Sequence, residues 1–138
     1  MAWIRSRAQR RDEHRLLEPF RTEFAGLEDP PVEVLLACAR PYLPADGALG
    51  EMVLSVGRAA HLAGRGADGI VDISPFTCMN GIVSEAIYPR LSRDHHGIPI
   101  RSFYFDGLQS DLDHELGIYV DLALAHRRRR LARETAGR

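Results

Sequence analysis

Residues 69–81 read Gly69-Ile70-Val71-Asp72-Ile73-Ser74-Pro75-Phe76-Thr77-Cys78-Met79-Asn80-Gly81, and the fold is decided there. The β-branched residues Ile70, Val71 and Ile73 make a short apolar run ending at Ser74-Pro75, which reads as a buried strand. Ser74 to Asn80 is then a loop. A helix is expected over about 81–93, kinked or split at Pro89, because proline lacks the N–H a helix interior needs. Gly97 closes it, and a second strand is expected from Ile98 to Phe105, stopped by the turn dipeptide Asp106-Gly107. Two strands separated by a helix of crossover length make a βαβ unit, with parallel strands and a right-handed connection. Helices on both sheet faces would bury Ile70, Val71, Ile73, Ile100, Phe103 and Phe105.

Outward from this unit the pattern is helical. Leu49, Met52, Val53, Val56, Ala60 and Ala63 fall on one face of a helix over about 48–64, ended by Gly64 and Gly66. A shorter apolar helix over 31–40 follows a possible Asp29 cap and stops before Pro41. Leu16, Leu17, Phe20 and Phe24 mark an amphipathic helix over about 8–25. The last helix is expected over about 111–134, opened by a Ser110/Asp113 capping pair. The expected organisation is a basic amphipathic helix over residues 1–28 and a single α/β domain over 29–138, with a parallel sheet flanked by helices. Two strands leave that sheet incomplete, so further strands would come from a partner chain or a larger ancestor.

The chain has 138 residues, 45% hydrophobic and 27% charged, a globular balance. All 18 basic residues are Arg. Residues 1–26 carry six Arg against four acids, 27–126 six against fourteen, and 127–138 six against one. An acidic body between basic ends argues against a nucleic-acid-binding core, which needs a basic face. The run Arg127–Arg130 points around all sides of a helix and is expected to be exposed. No run of 18 apolar residues suggests a membrane span. Two cysteines and no apolar leader make a reducing cytoplasm the expected compartment.

Few side chains invite chemistry. Cys78 lies between a strand's carboxyl end, where α/β sheets place ligands, and a helix N-terminus. The positive end of the helix dipole favours the thiolate, which is both nucleophile and metal ligand; an inert, half-buried thiol is the alternative. Asn80-Gly81, with free helix amides, is a candidate for a phosphate or the CoA diphosphate. Cys38, in an apolar helix, reads as core. Asp94-His95-His96 has side chains that diverge and reads as exposed. Glu51 reads as a helix-start acid, Asp106 as a turn residue, and His114 as exposed; Trp3 is isolated. Catalytic residues are not identifiable from this pattern.

Taken together, Gly50-Glu51-Met52, Ala67-Asp68-Gly69-Ile70-Val71, Pro75-Phe76-Thr77-Cys78-Met79, Ile98-Pro99 and Tyr104-Phe105-Asp106-Gly107 resemble the C-terminal part of the 2-hydroxyacyl-CoA dehydratase and CoA-substrate-specific activase-related family. The resemblance covers about residues 45–125. It implies a partial flavodoxin-like sheet and an iron–sulfur cluster with Cys78 as a ligand. Asn80 stands where the family has proline, and the chain carries no Gly-rich ATP loop. A [4Fe–4S] cluster takes four ligands, mostly Cys, so two cysteines imply a cluster shared between chains, with a second subunit or a homo-oligomer. The family resemblance further implies an acyl-CoA substrate in the complex and a lyase component not active alone. A non-catalytic α/β interaction module and a small CoA- or nucleotide-binding domain are the other readings.

Overall fold

The structure, a computed structural model, describes residues 7, 11–12, 14–16, 18–20, 22, 30–47, 50–107 and 112–137. The chain divides into two compact units, Met1–Pro30 and Pro31–Arg138. In the first, Arg7, Arg11–Asp12 and His14–Leu16 are helical and a 3-10 turn spans Glu18–Phe20. Leu16 and Phe20 are exposed there; Leu17 and Phe24 lie outside the described residues.

The second unit runs α1 (Val32–Ala39), α2 (Met52–Gly64), β1 (Ile70–Pro75), α3 (Met79–Asp94), β2 (Ile100–Phe105) and α4 (Leu112–Ala136). The two strands pair in parallel, Ile70 opposite Ile100 through Pro75 opposite Phe105. This is the βαβ unit the apolar runs predict: a two-stranded parallel sheet flanked by helices. The Asp29 and Ser110 caps fall outside the described residues.

The core lies between α2, α3 and one face of the sheet. Val56, Ala59, Ala60, Ile70, Tyr88, Leu91 and Ile98 form it, with Cys38 and Leu62 packed against it. Each large aliphatic side chain fully buried here contributes about 1.5–3 kcal/mol. α1 docks on α2 where Gly57 lies under the Leu35 carbonyl, an approach that leaves no room for a Cβ. On α4, Tyr119 sits against Gly69, and Arg130 reaches Asp68 at 2.9 Å.

Three expectations need correction. Ile70 and Phe103 are buried and Ile100 is half-buried, but Val71 is 41% exposed, Ile73 69% and Phe105 47%. Successive strand residues face opposite sides, and α3 covers the side of Ile70, Asp72 and Ser74; on the other side Phe103, opposite Ile73, is buried while Val71, Ile73 and Phe105 are not. Pro89 does not split α3, which continues to Asp94; proline costs the helix one hydrogen bond, and packing of Tyr88 and Leu91 on either side holds it together. Arg127–Arg129 are exposed as expected, but Arg130 is half-buried. Its guanidinium donates to Asp68 and Glu134.

Candidate functional site

α3 begins earlier than its periodicity indicates. Cys78 is its N-cap, so Asn80 and Gly81 belong to the first turn. The turn before it is tightly held: Phe76 N–H donates to the Phe105 carbonyl at 3.0 Å and Cys78 N–H to the Pro75 carbonyl at 3.1 Å. Thr77 takes φ 63°, a left-handed conformation that is costly for a β-branched residue and is found where surrounding structure enforces it. Cys78 is thus fixed at the carboxyl end of β1 and the amino end of a 16-residue helix.

Its surroundings favour the anion. No capping bond of regular geometry joins the Cys78 side chain to the helix. The Gly81 amide above all, then the Ser74 hydroxyl and the Asn80 amide, nevertheless hold the thiol below its ordinary pKa of 9.0. Burial, and after it the Asp72 charge, oppose them. Gly81 is essential to this packing, because a Cβ there would collide with the Ser74 side chain.

Two tyrosines frame the site. Tyr88 donates to Asp72 Oδ2 at 2.8 Å and Tyr104 to Glu85 Oε2 at 2.6 Å. The Glu85 bond, with burial and nearby negative charge, pushes Tyr104 up to about 12. Burial and the Asp72 bond raise Tyr88 as well. Both phenols therefore stay protonated donors at neutral pH. Asn80 packs against Gly50, whose φ is +92°, and Asn80 Oδ1 is buried with no partner among the described residues. Phe76, Met79 and Ile82, flanking Cys78 in sequence, are each more than half exposed.

The fold therefore gathers Gly50, Cys78, Asn80 and Gly81, while the other candidates lie apart. Cys38 is half-buried against the core. Glu51 is the exposed N-cap of α2, and Asp94 meets Arg90 at 3.9 Å. His95 is half-buried; His96, Asp106 and His114 are exposed. Among the described residues no group of three or more His, Cys, Asp or Glu is placed to hold a metal, and no helix is long and apolar enough to cross a membrane. Ser74, Tyr104, Asp72 and Glu85 were not singled out from the sequence. Period-two alternation along β1 was the available signal for Asp72 and Ser74. The strand register, which sets Tyr104 opposite Ser74, was not readable in advance. No family model, curated protein or solved structure matches the chain.

Proposed function

We propose that this chain is a small iron–sulfur-associated subunit related to 2-hydroxyacyl-CoA dehydratase and activase proteins, built on a flavodoxin-like sheet fragment. Cys78 supplies one cluster ligand and another chain supplies the rest. One observation carries the reading: a thiol fixed at a strand's carboxyl end and a helix N-terminus, with amide and hydroxyl donors favouring its anion. Thiolate is the ligating form, and hydrogen-bond donors at a ligand sulfur tune a cluster's potential.

The residues fit one ligand position. The second thiol, Cys38, is packed against the core, so a cluster of four ligands has to close across chains. The exposed apolar side chains Phe76, Met79 and Ile82 are the surface a covering chain would dry. Bound there, a cluster would supply one-electron transfer to a 2-hydroxyacyl-CoA thioester. This chain's part is to hold the thiolate, orient it through the Thr77 turn, and exclude water. The Asn80 and Gly81 amides are directed toward Cys78, which makes them part of the same site.

The test is iron and acid-labile sulfide per chain after anaerobic reconstitution, alone and with companion proteins co-purified from the source. Loss of iron in Cys78→Ser but not in Cys38→Ser is expected. An iron-free wild type in every complex overturns the reading and leaves an interaction module.

A further inference from the structure

Strand β2 gives one edge to β1, and among the described residues no strand covers the other. The Pro99 and Phe105 carbonyls accept from Ile70 and Phe76 N–H. Inward and outward groups alternate along a strand, so Ile100, Ser102 and Tyr104 turn their N–H and C=O groups to the free edge. That edge lines a groove of about 570 Å³. Tyr88 and Ser92 of α3 wall one side, and Ile118 and Leu122 of α4 the other. Ile118 and Leu122 are each just over half exposed. Ser102 Oγ is buried without a hydrogen-bond partner among the described residues. An open edge is a template for pairing, and a slot walled by two helices admits one strand.

We propose that this edge is a homodimer interface, in which β2 pairs antiparallel with β2 of a second copy about a twofold axis at Ser102. The product is a continuous four-stranded sheet. A second copy is the occupant because β2 is complementary to itself in this register. Ile100 meets Tyr104 of the second copy, Arg101 meets its Phe103, and Pro99 meets its Phe105. These are aliphatic–aromatic and cation–aromatic pairs, the kind that stabilise neighbouring strands. Arg101 already lies 5.8 Å from its own Phe103 ring. Arg101 is the only charged residue of β2 and is already paired to Glu115 of its own chain at 2.9 Å, so the strand brings no uncompensated charge to the axis.

An antiparallel pair sends the carboxyl ends of the strands apart, so the two Cys78 loops lie at opposite ends of the dimer. Each stays open to a different chain, and the dimer stands whether or not Cys78 holds a cluster. Sedimentation velocity and amide hydrogen exchange at two concentrations test it. The wild type should dimerise, with Ile100, Ser102 and Tyr104 amides more protected at the higher concentration. Ser102→Pro removes an N–H that the β1 ladder does not use, a change edge strands accept. It and Leu122→Glu should each weaken association about tenfold or more with circular dichroism unchanged; if Ser102→Pro fails to fold, Leu122→Glu decides. A wild type still monomeric at ~100 μM, where a dimer of micromolar Kd would be populated, overturns the proposal. So does a dimer indifferent to the folded variants, or a monomer whose edge amides are protected by its own residues.

Discussion

Gly81→Ala probes how tightly α3 is seated on β1. The added Cβ would fall on Ser74 Oγ, 2.8 Å from Ser74 Cβ and 3.3 Å from Tyr104 Cε1. Ser74 is buried in a strand held by its ladder, so the first turn of α3 has to give way. Overpacking of this kind costs about 1–3 kcal/mol, against roughly 1 kcal/mol that alanine gains over glycine within a helix. The expected net is a loss of up to about 2 kcal/mol, read from urea unfolding. Ser74→Gly removes both obstructing atoms at its own cost of about 0.5–1 kcal/mol for glycine in a strand. In that background Gly81→Ala should be neutral or stabilising. The retreating turn also draws the Gly81 amide away from Cys78, so the thiol's titration midpoint should rise in the single variant. Costs that add within ~0.5 kcal/mol in the double variant would refute the contact.

Three further outcomes are expected. Alkylation of Cys78, followed against pH in Cys38→Ser, should show a midpoint below that of an ordinary thiol, and Ser74→Ala should raise it. The stability linked to this depressed pKa is present above the unfolded thiol's pKa and lost as pH falls through the folded one; urea midpoints of wild type and Cys78→Ser should converge on acidification. His126 is buried with both ring nitrogens unpartnered among the described residues, and burial, then Arg133 and Arg129, hold its pKa below 6.5. Unfolding free energy should therefore fall as pH drops from about 6.5 through the folded value, less so in His126→Leu, which at neutral pH should be about 1 kcal/mol more stable. Glu85→Gln should bring Tyr104 down from about 12 toward 10.0 in an ultraviolet titration, and an unchanged midpoint would refute the Glu85 bond as the cause.

The βαβ unit was legible because its signals are local. A β-branched run, an aromatic-rich run, a glycine stop and a Pro-Phe-Thr-Cys loop each act within a few residues, and the strand pairing follows from connection length. Exposure was not legible in the same way. Val71 and Ile73 have the composition of a buried strand, but burial depends on a second covering layer, and no sequence window reports whether it exists. Cys78 was found from its place between strand and helix. Ser74 and Tyr104 were not, because their meeting depends on register between strands 25 or more residues apart. Arg130 was grouped with its exposed neighbours: Arg127 and Arg130 both face Asp68, and nothing local distinguishes the one of them that is half-buried.

The exposed apolar surface and the incomplete sheet belong to one physical problem. Two parallel strands do not usually persist with an edge open among the described residues and a face covered only at Phe103, because parallel sheets depend on cover from both sides. Here the uncovered groups fall in two zones of different chemistry. At the β2 edge the demand is for backbone hydrogen bonds, and the walls beside it, Ile118 and Leu122, are aliphatic. Around Cys78 the backbone is already committed to the Thr77 turn and the first turn of α3; what is exposed there is side-chain surface, Phe76, Met79 and Ile82. A strand can satisfy the first zone and cannot satisfy the second, which calls for a face that buries apolar atoms and approaches a thiolate. The two zones therefore call for contacts of different kinds, and the antiparallel register proposed for the edge would leave the cysteine loops free for the other.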